Sequence, residues 1–364
     1  MPLSKIQGIE GQVTPNLGRR NLIINGAMQV AQRGTSSTGV TDAGYASVDR
    51  YNMNLVSLGT WTISQSTTAP TGFTTSTKLD CTTADATAAS GSYFLFEQRI
   101  EAQNLQHLAY GTSSAKSMTL SFWVRSNKTG TYYTEVQHGD AGSNYFNNHS
   151  YTISSANTWE KKIIPVTGQT AAIINNDNGI GMFVRWCIGH DSTGTSGTTT
   201  NNTWHQTTAN RFAGQVNLAD STSNEWYITG IQLEVGDTAT DFEHHSFGET
   251  LSLCQRYYVN HGLGSNADAV VSPGRDAQYT HIRGTQVQFP VAMRANPTVV
   301  IQSGSANSMD RYGRGQETCY PQAEGITTFG FGVIRSRDSG GNNRVWTDNG
   351  LYINRAGYSA EAEL

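Results

Sequence analysis

Along this chain, apolar residues alternate with polar or small ones over many short runs, and only one stretch recurs at helical spacing. Successive side chains of a strand point to opposite faces, so alternation predicts strands with one face on a core. Strands are predicted at 45–56, 61–66, 78–81, 93–100, 117–126, 131–137, 151–154, 159–166, 182–188 and 225–235, with 21–30 as a first strand or its approach. Clusters of Gly, Asn or Ser separate nearly all of them, the arrangement of an antiparallel sandwich. In the last run, Trp226, Ile228, Gly230 and Gln232 alternate with Tyr227, Thr229, Ile231, Leu233 and Val235. The period then changes. Ser246 followed by Glu249 has capping-box spacing, and Leu251, Cys254 and Tyr258, with Leu253 and Tyr257, form a stripe three to four residues apart. A short helix is predicted from Phe247 to about Val259.

Beyond it, 260–277 is rich in Gly, Ser and Asp, and 285–289, 298–302, 327–334, 350–356 and 358–364 read as strands of a small second β domain. The run 303–326 shows no period and carries Arg311, Tyr312, Arg314, Glu317 and Tyr320; a long loop of this kind tends to be functional. No repeat of about 20–50 residues and no heptads occur, which excludes solenoid and coiled-coil organisation. The predicted organisation is an arm at 1–20, a sandwich at 21–245, a connecting helix at 246–260 and a C-terminal β domain at 261–364.

Composition agrees with an all-β chain. The hydrophobic share is 37% and the charged share 14%, both below the usual level. Thr, Ser, Asn and Gly take their place, residues suited to pleated surfaces and tight turns. Seven Trp, 16 Tyr and 12 Phe recurring in strand-like runs argue against disorder, because they bury enough area to offset ordering entropy. A net charge of −4 without a basic run makes nucleic acid an unexpected partner. No window reaches the ~18 apolar residues of a membrane helix, and the start lacks an apolar signal core, so no membrane insertion is expected and the chain should fold where it is made. Cys81, Cys187, Cys254 and Cys319 lie far apart; buried free thiols are expected, with disulfides or a metal cluster as the alternative.

Candidate chemistry is sparse. His244 and His245 follow Glu243, and His138 and His149 flank Asp140, but neighbouring strand residues face opposite ways, so these read as surface or hydrogen-bonded histidines. Asp237, Asp241 and Glu243, or Asp177 with Asn175 and Asn178, carry oxygens that could bind calcium; such loops are usually turns, and no cofactor is expected. Motifs of serine hydrolases, zinc proteases and P-loop nucleotide binders are missing. The expectation is that the chain is not an enzyme, although a glycan-cleaving carboxylate pair need not be local in sequence.

Three phrases carry a resemblance: GRRNLIINGAMQVAQRGTS from Gly18, ITGIQLEVG leading into FEHHSFGETLSLCQRYY up to Tyr258, and FPVAMRANPTVV from Phe289. Together, in this order, they resemble tail-fibre and virion structural proteins of tailed bacteriophages. The segments SMTLSFWVRSNKTGTYYTEV, NTWEKKIIPV and EWYITGIQLE also resemble strands of carbohydrate-binding jelly rolls. The fold expected is all-β, an antiparallel jelly-roll-like sandwich followed by a short helix and a second small β-sandwich domain. The resemblance implies a non-enzymatic virion component in the phage tail, assembled in the host cytoplasm. It would be a tail fibre taking part in attachment to host-surface glycan, forming a homotrimer and docking on other tail proteins through the arm. A glycan-depolymerising tail spike and an architectural head, neck or collar fibre are the alternatives.

If sugar is the ligand, exposed rings in loops are where it would stack. Trp204 and His205, within TTTNNTWHQTTANRF, are the first candidates, Trp204 being alternatively a cover for a sheet edge. Tyr145 and Phe146 form a second patch, and Arg311, Tyr312 and Tyr320 a third. Trp123, Trp159, Trp186 and Trp226 lie in strand patterns and are assigned to the core.

Overall fold

The structure is a computed structural model. It describes residues 20–140, 144–261, 270–272, 287–302, 309–311, 315–317, 320–331, 333–337, 352–354 and 357–364. The arm, apart from Arg20, together with Tyr312 and Cys319, lies outside the described residues.

An antiparallel jelly-roll-like sandwich forms the body. Its strands are β1 (Ser36–Tyr45), β2 (Tyr51–Ser66), β3 (Ser76–Thr83), β4 (Tyr93–Glu101), β5 (Met118–Ser126), β6 (Gly130–His138), β7 (Phe146–Ile153), β8 (Glu160–Val166), β9 (Ile180–His190), β10 (Trp204–His205) and β11 (Glu225–Val235). They hydrogen-bond in the order β10-β7-β6-β9-β4-β2-β3-β11-β5-β8, with β1 on β2. The sequence suggested two strands where β2 runs unbroken. Its first part, Tyr51 to Val56, pairs with β4 and its second, Thr60 to Ser66, with β3. Ser57 and Gly59, both at positive φ, bend it between the two pairings. That bend folds the sheet into a front layer (β10-β7-β6-β9-β4) and a back layer (β3-β11-β5-β8). Phe96 on Trp226 at 5.9 Å and Phe122 on Trp186 at 5.6 Å join the layers across the core. Trp61, Trp186 and Trp226 are fully buried there.

Strand β11 has the bounds predicted, but its faces are not those of simple alternation. Trp226 and Ile228 point inward, then a register shift against β5 between Thr229 and Gln232 reverses the parity, so that Ile231 and Leu233 also face the core. Gly230, at φ +63°, sits in this bulge. Trp123 and Trp159, assigned to the core from sequence, are half-buried on the outer face of the back layer instead. The physical reason is parity: Phe122 and Val124 take the inward positions of β5, which leaves Trp123 outside. Residues 21–30 form bends and turns rather than a strand, and β7 begins at Phe146, five residues before the predicted strand.

The three phrases that carried the resemblance, distant in sequence, meet in space. Asn21 donates to Ile231 O at 3.0 Å and accepts from Leu233 N at 3.0 Å, which lays the first phrase along β11. Gly26 passes so close that a Cβ there would lie 2.1 Å from Ile231 O. After α1 (Ser192–Thr195), a single turn in the β9–β10 connection, α2 (Phe247–Gln255) is the helix expected, its Ser246 and Glu249 forming the reciprocal capping box. Cys254 of α2 and Tyr257 beyond it are buried with Ile24 and Val30 of the first phrase. Tyr258, assigned to the helical stripe from sequence, lies instead in β12 (Tyr258–His261), because the helix stops at Gln255. Arg294 of the third phrase donates its backbone N–H to Arg256 O at 2.8 Å and its guanidinium to Ala362 O at 2.8 Å. Glu101 ties the helix end to the sandwich, accepting two hydrogen bonds from Arg256 at 2.8 Å and one from Tyr257 at 2.5 Å. Burial alone would raise the Glu101 carboxyl; these donors outweigh it and hold it below its ordinary value.

The C-terminal part adds β13 (Val270–Ser272), β14 (Val287–Gln288), β15 (Thr298–Gln302), β16 (Met309–Arg311), β17 (Gly315–Glu317), β18 (Tyr320–Glu324), β19 (Gly330–Phe331), β20 (Val333–Arg337), β21 (Tyr352–Asn354) and β22 (Gly357–Glu361). They form small antiparallel sheets, β12-β22-β15 among them, beside an apolar cluster of Val259, Phe289, Met293, Phe331, Tyr358 and Ala360. The run 303–326, expected to be a loop, contains β16, β17 and β18. Cys81, Cys187 and Cys254 are buried.

Candidate functional site

On the front layer, alternation sends Met182, Val184, Trp186 and Ile188 of β9 into the core and leaves Phe183, Arg185 and Cys187 on the outer face. Cross-strand register then aligns one polar row over five strands: Asn52 of β2 opposite Glu97 of β4, Glu97 opposite Arg185 of β9, Arg185 opposite Glu135 of β6, and Glu135 opposite Asn148 of β7.

Charges alternate along this row. Arg185 donates to Glu97 at 2.6 Å and to Glu135 at 3.2 Å, and also to Gln137. Arg99 pairs with the other oxygen of Glu97 at 2.7 Å. Arg211 grips Glu135 with two bonds, at 2.6 and 2.7 Å. Glu97 and Glu135 are both fully buried. Burial would raise the Glu135 carboxyl, but the Arg211 and Arg185 guanidiniums and the Asn148 amide more than offset it, leaving it below its ordinary value. Arg211 comes from the long β9–β11 connection, whose next residue, Phe212, fills an apolar pocket with Leu95, Tyr133 and Cys187. The row therefore also fastens that connection to the sheet.

At the β7 edge, the Asn148 amide nitrogen donates to Glu135 at 3.0 Å, which turns its oxygen toward His205 Nε2 at 2.9 Å. An amide oxygen only accepts, so His205 carries its proton on Nε2. Burial lowers the His205 imidazole below its ordinary value, favouring this neutral form. Near the middle of the face, Phe183 is half-buried, with the Arg185 guanidinium 4.1 Å and that of Arg99 5.7 Å from its ring centre.

The structure brings four of the expected residues to one edge. In β10, Trp204 pairs with Asn147 and His205 with Phe146. Trp204 is half-buried against the core, donates its indole N–H to Thr167 O at 2.7 Å and meets Tyr110 edge-on at 6.0 Å. Its ring therefore covers the end of the sheet. Phe146 is 3% exposed, one face taken by the Arg211 guanidinium at 4.5 Å. Tyr145, half-buried, precedes it at the rim. Arg311 ends β16 and Tyr320 opens β18, strands of two different sheets. Sequence reading missed Phe183 and the row. Alternation marks Phe183 as outward, but only register reveals its neighbours.

Among the described residues, no three His, Cys, Asp or Glu side chains converge as metal ligands. Asp140 accepts from the Asn175 backbone at 2.8 Å, Asp177 from Gly179 at 2.8 Å, and Glu243 from Arg20 and Asn21 at 3.0 and 2.6 Å; these are turn and capping roles. His245 lies 3.7 Å from Glu243, while His244 packs on Phe73 and Phe242. Among the described residues, no helix is long and apolar enough to cross a membrane.

No protein-family model and no curated protein matches the chain. Solved structures similar to it include the enzymatically active domain of tailspike protein 4 of bacteriophage CBA120, at 13% identity and a TM-score of 0.30, covering 59% of this chain and 21% of that one. The chain thus spans about a fifth of that tailspike structure. A family 11 carbohydrate-binding module of a Clostridium thermocellum cellulase aligns at 12% identity and a TM-score of 0.27, over 63% of this chain and all of the module. The tandem CBM22 domains of Paenibacillus barcinonensis Xyn10C align at 9% identity and a TM-score of 0.29, over 96% of this chain and all of theirs. Likenesses at these scores concern the fold and say nothing of what this chain holds.

Proposed function

We propose that the chain is a non-enzymatic component of a phage virion, a tail fibre that takes part in host attachment by holding a glycan on the outer face of its front layer. The observation that carries the glycan reading is the half-buried Phe183 ring set over the alternating row, with His205 and Tyr145 at the rim. A sugar's apolar face can stack on such a ring while the part-exposed Arg99 guanidinium and the Tyr145 hydroxyl at the rim meet its hydroxyls, the buried row holding the ring in place. The tail-fibre reading draws its support from the three sequence phrases, as do assembly as a homotrimer and docking through the arm.

A depolymerising tail spike is the second reading. It is favoured by one feature, two buried carboxylates, Glu97 and Glu135, flanking Arg185. A glycosidase acid needs a raised carboxyl. Glu135 is lowered and both its oxygens are held by Arg211, which supports the binding reading instead. Phe183→Ala and Tyr145→Ala should each weaken retention of the protein on immobilised host-surface polysaccharide, with melting temperature unchanged within about 2 °C. Unaltered retention by both folded variants would remove the rim from recognition. Sedimentation of the purified chain tests the trimer, and a monomer at micromolar concentration would count against it.

A further inference from the structure

The outer face of the back layer carries a second set of rings that the front-layer site does not use. Tyr227 of β11 meets Trp159, just ahead of β8, at 6.2 Å between ring centres. Trp123 of β5 lies on the same face, opposite Thr229 of β11 and Lys161 of β8. A Cβ on Gly230 would lie 3.0 Å from Trp123 and 2.7 Å from Phe73, so the two rings flank the bulge, and Phe73 stacks edge-on with Phe242 at 5.0 Å. The result is a track of rings across the layer, Trp159, Trp123, Phe73 and Phe242, with Tyr227, 5% exposed and faced by the Arg125 guanidinium at 4.8 Å, as its buried support. Trp123, Trp159, Phe73 and Phe242 are each half-buried, and Ile163 beside them is 56% exposed.

The charges along this track are unequal. Lys78 pairs with Asp80 at 3.3 Å and with Glu225 at 2.9 Å, and Arg125 pairs with Glu225 at 3.7 Å. Two cations thus balance two carboxylates. Arg125 also donates to Asn157 O at 3.0 Å and so positions the turn that presents Trp159. Lys161 is exposed, faces Trp123 across the register, and has no ion pair among the described residues. A set of half-buried rings on one sheet face with one uncompensated ammonium beside it fits a chain of pyranose rings bearing carboxylates. The rings take the apolar sugar faces, the paired charges offer donors and acceptors to hydroxyls, and Lys161 meets an acid group.

We infer that this face is a second glycan site, which takes an acidic polysaccharide along the track from Trp159 to Phe73. It shares with the proposed function the premise that the chain holds polysaccharide, but it lies on the opposite layer, so variants separate the two. The test is native electrophoresis of the full chain in gels containing alginate, a polyuronate, or dextran, a neutral polymer. Alginate should retard the wild type more than dextran does. Trp159→Ala should weaken the alginate interaction about tenfold, Lys161→Gln a few-fold, with recovery in Lys161→Arg, and Phe183→Ala should leave most of it in place. Wild-type retardation of both Trp159→Ala and Lys161→Gln would overturn the inference and leave the front-layer reading intact. Absence of retardation by alginate would also overturn it. A third contrary result is a sedimentation shift to smaller size in Trp159→Ala without any change in gel retardation, which would make this face a contact between copies of the chain.

Discussion

Replacing Arg185 by Met tests whether the front-layer row is an interdependent network. The guanidinium, 8% exposed, sits between two fully buried carboxylates and also serves Gln137. Removing one member of a buried pair costs about 3–5 kcal/mol, because it leaves charge without a partner. Here the loss is cushioned. Glu135 keeps both bonds to Arg211 and one from Asn148, and Glu97 keeps Arg99, itself 22% exposed. The penalty therefore concentrates on Glu97, and about 3 kcal/mol is expected, or about 6–12 °C in melting temperature for a sandwich of this size. Urea unfolding followed by tryptophan fluorescence reads it. Neutralising the stranded group with Glu97→Gln in the Arg185→Met background should recover about 1–2 kcal/mol, a coupling that independent sites would not show. A loss below about 1 kcal/mol, or no recovery in the double variant, would refute the claim that the row is a network of interdependent charges.

The same row makes stability depend on pH. The Glu135 carboxyl lies below its ordinary value of 4.5 in the folded chain, so its contribution is present above about pH 4.5 and is lost as pH falls through the folded value. Wild type should therefore lose more stability than Glu135→Gln between about pH 5 and 3, and parallel curves would contradict this. Gly230→Ala should cost about 2–4 kcal/mol, combining a left-handed backbone with contacts to Phe73 and Trp123 that neither ring can relieve cheaply. A cost under about 0.5 kcal/mol in urea unfolding would mean that the bulge relaxes. Glu101→Gln should loosen the junction between sandwich and helix by weakening two bonds from Arg256 and one from Tyr257, seen as faster amide exchange in α2. Unchanged exchange there would place the junction's strength in the apolar cluster of Cys254 and Tyr257 alone.

How far sequence could see depends on where the information lies. Strand β11 and the start of α2 were legible because their signals are local: alternation over Trp226 to Val235, and Ser246 with Glu249 three residues on. Strand β1 was not, since SSTGVTDAGY offers no apolar face and its strand character comes from pairing with β2. Trp123 was misplaced because SFWVRS is apolar on both faces, and only the partner strands distinguish inside from outside. The row lay out of reach for a related reason. Arg185 and Glu97 are 88 residues apart, Arg211 and Glu135 are 76, and a charge within a strand reads locally as solvent-facing. The three phrases that carried the resemblance proved to be parts of one junction, joined by the Asn21, Gly26, Cys254 and Arg294 contacts.

The most direct test of the central claim is to incubate the full chain with purified host-surface polysaccharide and measure, in the same sample, retention of the protein and the length distribution of the polymer. Retention should fall in Phe183→Ala and Tyr145→Ala, with polymer length unchanged over hours. Shortened polymer would reveal a depolymerase, and a folded wild-type chain that the polysaccharide does not retain would contradict the glycan-binding reading.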